Sequence, residues 1–307
     1  MVILEFHQLQ YAVAVAEELN FTRAADKVSI SQSTLSHQLA KLEDELGVKL
    51  FERTSRSVHI TQAGEDFVRR ARLMLTDMVA TQQSMEAFRG LLKGTLRIGT
   101  IASTGAIENA TLLAHFHQRH PNLNFSIVQA GTYDLLKRLH SGEIDLAVLT
   151  QPADNMYEEI EFTPLAEDYY VLAVPPEHPL AAREEIDLAE AADEPFVFYS
   201  MAGSLYYTCM EACKSAGFRP NIVCYSDHAP TRFSLISAGM GVGFFPQAEA
   251  KHPPYHVAVV KLRRKIRKNI VLAVPGRSRG IPVAMAFCQF ILQWVRDLGL
   301  IKESRFK

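Results

Sequence analysis

The first sixty residues place apolar side chains at helical rather than alternating intervals. Phe6, Leu9, Tyr11, Val13 and Ala16 mark one helix, and an Ala-rich helix through Val28 follows, with Thr22 as its predicted N-cap. Ser31 is a second N-cap; after it Leu35, Leu39, Leu42 and Leu46 recur at four, three and four residues and form one buried stripe. Gly47 supplies the stop. The short turn Ser29-Ile30-Ser31 joins the two helices, which predicts a helix-turn-helix over 22–46 whose second helix enters a DNA major groove N-terminus first. Gln32, Ser33, Thr34, Ser36, His37 and Lys41 lie off the leucine stripe and carry donors and acceptors sized for base edges and phosphates.

Next, 50–53 and 58–60 read as two short strands, and the turn between them carries Arg53, Thr54, Ser55, Arg56 and Ser57. A basic hairpin there is a wing for the DNA backbone or a minor groove. Thr22, the recognition-helix residues, Arg53 and Arg56 together form the candidate DNA-contact set. Thr61 then caps a helix predicted to run to about Arg89. On it Phe67, Ala71, Met74, Met78, Thr81, Met85 and Phe88 alternate at spacings of four and three, a coiled-coil seam. A helix this long between two domains has little else to bury its seam against than a second copy, so the seam predicts dimerisation. Residues 90–94 read as a hinge.

From Thr95 the period changes. Apolar runs at 96–101, 125–129, 144–149, 170–174, 196–199, 242–245 and 270–274 read as strands, and 106–119, 132–141, 204–216, 229–239 and 282–298 as helices. This alternation predicts parallel sheets covered by helices, with enough chain for two lobes and a cleft. The expected architecture is mixed: an all-α winged helix-turn-helix (1–60), a linker and dimerisation helix (61–93), and a two-lobed α/β effector-binding domain (94–307).

Composition constrains this picture only at the margins. The 307 residues are 48% hydrophobic and 21% charged, which suits a globular chain. No run approaches the ~18 apolar residues of a membrane span, and the N-terminus lacks the basic and apolar regions of a signal peptide. The four cysteines, Cys209, Cys213, Cys224 and Cys288, are too few for a disulfide scaffold and predict reduced thiols in a cytoplasmic protein. The net charge of -2 leaves DNA open as a partner, because phosphate binding needs a local patch, and His37, Lys41, Lys49, Arg53, Arg56 and His59 supply one.

The run from Phe21 to Glu43, its continuation Leu46-Gly47-Val48-Lys49-Leu50-Phe51-Glu52-Arg53, and Thr61-Gln62-Ala63-Gly64 resemble the LysR-type transcriptional regulators in content and spacing. So do Gly94-Thr95-Leu96-Arg97-Ile98-Gly99, Gly142-Glu143-Ile144-Asp145-Leu146-Ala147-Val148 and the stretch from Ser237 to Pro246 in the second half. The resemblance implies a winged helix-turn-helix, a dimerising linker helix and a periplasmic-binding-protein-like effector domain. It also implies homotetramers, an inverted-repeat site on double-stranded DNA that is bent on binding, a small-molecule co-inducer, and RNA polymerase as a further candidate partner. Carried over by position, Gln32, Ser33, Ser36 and Lys41 face DNA, with Arg53 and Arg56 in the wing. His37 departs from the arginine common at that position, so a side chain that is not a permanent cation stands there.

Ligands of open α/β sheets sit beyond the carboxyl ends of strands, where helix N-termini also point. That places Thr100, Ser103 and Thr104 after the first strand, Thr132 at the helix after Gln129, and Thr150 and Gln151 after 144–149. Ser200, Met201 and Ser204 follow 196–199, and Asp227 and His228 follow a strand near Val223. Hydroxyls and helix amides can hold a carboxylate without a fixed arginine, so the expected effector is a small anion. Each of these side chains also has a plain reading as a helix cap.

Other features are read more plainly. Cys209 and Cys213 share a helix face. A thiol-based redox regulator of the same fold is the alternative, but the spacing around a histidine that the resemblance would require is absent, and core packing is the better reading. The six basic residues of 261–268 suit a solvated edge better than a second DNA contact. There is no HExxH, P-loop or GxSxG, and Gly239-Met240-Gly241-Val242-Gly243 precedes a strand rather than following one, so no enzyme, metal or cofactor is expected.

Overall fold

The computed structural model describes residues 4–53, 57–87, 93–152, 154, 156–201 and 204–300. Arg56, Phe88 and residues 90–92 of the expected hinge lie outside the described residues, and Ser204 is described by its backbone alone.

Helices α1 (Phe6–Glu18), α2 (Phe21–Lys27) and α3 (Gln32–Leu46) close over a core of Ala12, Val15, Phe21, Ala24 and the leucine stripe. Leu35, Leu39 and Leu42 are fully buried and Leu46 half-buried. The cap of α2 is Asn20, not Thr22: its Oδ1 accepts from the Thr22 and Arg23 N–H groups at 2.9 and 3.1 Å. Phe21 explains the shift. Its ring is buried edge-on to Phe51, at 6.4 Å, so Phe21 is already helical and the cap falls one residue before it. Ser31 caps α3 through the Thr34 N–H at 3.1 Å, and Gly47, at φ +70°, ends it. Strands β1 (Phe51–Arg53) and β2 (Val58–Ile60) pair antiparallel as the wing. Thr61 then caps α4 (Gln62–Ala87) by accepting from the Gly64 N–H at 3.0 Å.

The rest of the chain runs β3 (Gly94–Thr100), α5 (Asn109–Arg119), β4 (Leu123–Gln129), α6 (Thr132–Ser141), β5 (Leu146–Thr150), β6 (Ile160–Val174) and β7 (Glu185–Ile186). It continues β8 (Pro195–Phe198), α7 (Ser204–Ser215), β9 (Asn221–Tyr225), α8 (Ala229–Ser237), β10 (Gly243–Pro246), β11 (Ala258–Leu262), β12 (Arg267–Pro275) and α9 (Pro282–Asp297). The main sheet has the order β4-β3-β5-β12-β6-β11-β7, and β10 also pairs with β6. Lobe I is β4-β3-β5 with the adjoining halves of β12 and β6, covered by α5 and α9 on one face and α6 on the other. Lobe II gathers the far half of β6 with β7–β11, α7 and α8 around two further apolar clusters.

Three further expectations change. The sheet is mixed rather than parallel: β3, β4 and β5 run parallel, but β12, β10 and β11 all pair antiparallel with β6. The strand expected at 170–174 is the far end of β6, whose 15 residues cross from one lobe to the other. The basic run 261–268 is also not uniformly solvated. Lys261, Arg263 and Arg267 are exposed and paired with Glu184, Glu185 and Glu167, whereas Lys268 is 2% exposed. As an inward position of β12, Lys268 points into the molecule.

Candidate nucleic-acid interface and effector cleft

On α3, Gln32, Ser33, Thr34, His37 and Lys41 are exposed and Ser36 is half-buried, as the leucine stripe on the opposite side requires. The Gln32 amide donates to Ser36 Oγ at 3.1 Å, and the Arg53 guanidinium of β1 donates to the same oxygen at 3.1 Å. Arg53 also lies over the Phe21 ring, 3.9 Å from its centroid. The structure therefore brings three of the sequence-derived residues into one connected group spanning recognition helix and wing. Ser33 and Thr34 place their hydroxyls on Ser31 Oγ at 2.9 and 2.7 Å. Lys41 sits between Glu5 and Glu45 at 3.6 and 3.7 Å; such exposed pairs are worth well under ~1 kcal/mol and exchange readily for phosphate. Thr22 is exposed in the first turn of α2.

Glu43, which the sequence reading passed over, fixes the wing against α3. Its carboxylate is almost fully buried and accepts from the backbone N–H groups of Leu50 and Phe51 at 2.9 and 3.0 Å and from Lys49 at 3.0 Å. Burial pushes its pKa up, but the bonds from Lys49, Phe51 and Leu50 outweigh burial and hold it below the usual carboxylate range.

In lobe I the expected cleft residues fall at strand ends. Thr100 Oγ1 accepts from the Asn109 amide at 3.0 Å. Thr104 and Thr132 are buried, and the Thr132 hydroxyl faces the Thr150 carbonyl at 3.5 Å. Gln151 is exposed and its N–H donates to the Asn269 carbonyl at 2.8 Å. Helix α6 starts after Gly131, which offers no side-chain cap to its first N–H groups. In lobe II, Asp227 accepts from the Ser200 N–H at 3.0 Å and from the Ser200 hydroxyl, which joins the ends of β8 and β9. Met201 is exposed. The lobes meet at Gly105, where an added Cβ would collide with that of Ala248, so no larger residue fits there.

Below these loops lies a buried charged cluster that periodicity did not reveal. Lys268 Nζ donates to the Ser103 carbonyl at 2.6 Å, and burial pushes its pKa down to about 8 against the pull of Asp168 and Glu249. Glu249 is pushed up by burial, with Arg232 and Lys268 acting in the other direction. Arg232 donates to the Phe244 carbonyl at 2.8 Å and stacks on Tyr199 and Phe245 at 3.8 and 4.2 Å. The Tyr170 hydroxyl, Arg232 Nε and Asn109 Oδ1 are buried without a hydrogen-bond partner among the described residues. The one signal in the sequence was Asp168, a charge close before the apolar run 170–174. Among the described residues there is no cluster of metal-ligating side chains, and no helix is long and apolar enough to cross a membrane.

On α4, Ala71 is buried, Phe67 is half-buried, and Met74, Met78, Val79 and Met85 are exposed. Cys209 and Cys213 are both fully buried in the core of lobe II.

Comparison with known proteins gives two matches to family models: a bacterial regulatory helix-turn-helix of the lysR family over residues 6–65, and a LysR substrate-binding domain over residues 89–296. An uncharacterised HTH-type transcriptional regulator of Bacillus subtilis, YybE, is 31% identical over 293 residues, covering 94% of this chain and 98% of the relative. A full-length OxyR variant from Pseudomonas aeruginosa, carrying a single cysteine-to-aspartate substitution, shares the fold with a TM-score of 0.76 at 24% identity, covering 96% of this chain and 95% of that one. The effector-binding domain of QuiR in complex with shikimate is 26% identical with a TM-score of 0.60, covering 67% of this chain and 98% of that one.

Proposed function

The chain belongs to the LysR family of DNA-binding transcriptional regulators, and we propose that it reads an inverted-repeat operator in response to a small anionic effector held between its two lobes. The observation that carries the DNA reading is the group Gln32–Ser36–Arg53, which fixes wing and recognition helix as one preorganised surface. In this reading Gln32, Ser33, Ser36 and His37 meet bases, and Thr22, Thr34, Lys41, Arg53 and Arg56 meet the backbone or its grooves. Residues 1–60 form the reading head, 61–93 the linker and 94–307 the sensor. The exposed methionines of α4 give a homodimer its seam, two dimers form a tetramer, and RNA polymerase is the downstream partner.

Two features support an anion in the cleft: the uncapped N-terminus of α6 beside the buried Thr132, and the relative whose effector domain holds shikimate, a small hydroxy-acid. The thiol-based alternative finds little support. Burial pushes the Cys209 thiol far up and that of Cys213 to about 12, which leaves neither as a reactive thiolate.

The DNA reading is tested by fluorescence anisotropy on a duplex that the wild-type protein itself enriches from a random pool. Gln32→Ala should weaken binding by about 1–3 kcal/mol and relax preference at one base pair, while Arg53→Ala should weaken all sequences alike and lower the salt slope by about one. Unchanged affinity in both variants overturns the reading. Calorimetry of the full chain against shikimate, other small carboxylates and their neutral amides tests the effector class; preference for the amides sinks it.

A further inference from the structure

We propose that Arg72 is a latch through which lobe I sets the position of the reading head, worked from the cleft by the α6–β5 unit. The proposal deepens the reading above, since it takes the start of α6 as an edge of the effector cleft.

The latch joins three parts of the chain. Arg72 lies on α4; one terminal guanidinium nitrogen donates to Glu143 of lobe I at 2.9 Å and the other to Glu17 of α1 at 3.4 Å. Glu143 is held from its other side by Arg138 of α6 at 2.9 Å. Two residues on, Asp145 takes the Arg97 guanidinium at 2.6 Å, and Arg97 also reaches Thr76 of α4 at 3.3 Å. Gly142 ends α6 at φ +77°, and an added Cβ would lie 3.2 Å from Leu73 of α4. Linker and lobe therefore touch through the turn that follows α6.

That turn is the far end of a unit that begins in the cleft. Ten residues of α6 span about 15 Å, and five of β5 return over a similar length. At the cleft end Thr132 and Thr150 face each other at 3.5 Å. At the linker end Glu143 and Asp145 are tied to Arg72 and Arg97. Arg277 holds the Leu139 carbonyl, and Ser278 donates to the Asp145 carbonyl at 2.6 Å, so the turn after β12 ties the end of α6 to the start of β5. A displacement of the first turn of α6 reaches Glu143 undiminished, because a packed helix does not compress.

Two observations favour a docked state that can shift. Arg72 Nε is buried without a hydrogen-bond partner among the described residues, which leaves the arrangement short of its optimum. Around it opens a solvent-accessible groove of about 590 Å³, lined by Arg72, Glu17 and Glu143 themselves and by Val13 of α1, Val79 of α4 and Ile281 of lobe I. A groove open to solvent where three parts meet lets α4 shift against the lobe without overpacking. A pair of alternative packings is what an allosteric element requires.

The test is a double-mutant cycle read by hydrogen exchange on the full-length protein, free of DNA and effector. Thr132→Val loosens the cleft end of α6, and Arg72→Ala opens the latch. Thr132→Val should speed exchange at the end of α1, around Glu17, about threefold in the wild-type background, the low end of coupling within one network. The increment should vanish with Arg72→Ala, and again with Glu143→Met, which keeps about the volume of the side chain but has no oxygen to accept from Arg72. Arg70→Ala, whose guanidinium pairs with Asp66 on the same helix, should leave the increment intact. An equal increment with and without Arg72, or none at α1 in any background, overturns the latch. Because neither DNA nor effector is present, failure here leaves the operator and effector readings standing, and their failure leaves the latch measurable.

Discussion

Replacing Glu43 with alanine should unfix the wing from the recognition helix. In the folded protein the Glu43 carboxylate accepts from two backbone N–H groups, those of Leu50 and Phe51, and both residues are almost fully buried. Alanine leaves both donors unsatisfied, at about 1–3 kcal/mol each. Release of a buried charge offsets part of that, so about 3 kcal/mol is expected for Glu43→Ala. Glu43→Gln keeps the accepting Oε1 and loses the charge assistance and the exposed Lys49 pair, at about 1 kcal/mol. For a module of some sixty residues each kcal/mol moves Tm by roughly 4–8 °C, so the alanine variant should melt its reading head well over ~10 °C early. Scanning calorimetry on the full chain separates this transition from that of the lobes, and anisotropy should show DNA affinity falling with it. The carboxyl also gives a pH signature. Its folded pKa lies below the ordinary 4.5, so its stabilisation is whole above that value and drains away as pH falls through the lowered one. Glu43→Gln should lack that acid sensitivity. A head transition in Glu43→Ala within about 1 °C of wild type would refute the clamp.

The exposed methionines of α4 predict that Met78→Glu weakens self-association about a hundredfold, since it places a charge in an apolar seam; an unchanged sedimentation profile counts against the seam. Burial lowers the Lys268 pKa from 10.5 to about 8, so the folded state sheds this proton before the unfolded chain does and stability gains between those two pH values. Lys268→Met should remove that gain in urea midpoints, and an equal gain in both proteins refutes the assignment. Millimolar peroxide should leave the Cys209 and Cys213 thiols free and DNA affinity unchanged, because both are fully buried; a disulfide between them by mass spectrometry would revive redox control.

The reading head is legible in the sequence because its period is strict. Leu35, Leu39 and Leu42 can be buried together only on a helix, and that decides which side chains remain outside. The cap of α2 is not legible, because Asn20 and Thr22 are both good caps; the choice turns on whether Phe21 is helical, which depends on its contact with Phe51 thirty residues away. In β6 the polar residues Glu161, Glu167 and Asp168 break the apolar run and hide its near half, and only pairing with β12 shows that those positions are strand. Lys268 is hidden for the opposite reason. It ends a run of exposed cations, and nothing local distinguishes the one that points inward. Glu43 sits beside Leu42 at the edge of the stripe, and its partners are backbone N–H groups that leave no residue-type signature.

The two crossing strands decide what kind of motion the cleft allows. β6 and β12 pair from Arg267 opposite Tyr169 to Pro275 opposite Ile160, so the lobes share a ribbon rather than a flexible tether. Its one ladder irregularity lies between Ile270 and Val271, whose partners are Ala166 and Pro164, leaving Leu165 as the extra residue. Pro164 has no N–H to give the ladder, so a bulge is the natural accommodation there, and bulges sharpen twist locally. Leu165 is fully buried, however, and just beyond it Asp168 and Lys268 are buried as well. Wide opening at this point would pull an apolar side chain and two charges out of their environment together. The joint therefore favours a small twist over a large swing. A signal that begins as a small twist needs a rigid element to carry it, and α6, with one end at the cleft and the other beside Arg72 on the linker, is placed to do so without amplification in the hinge itself.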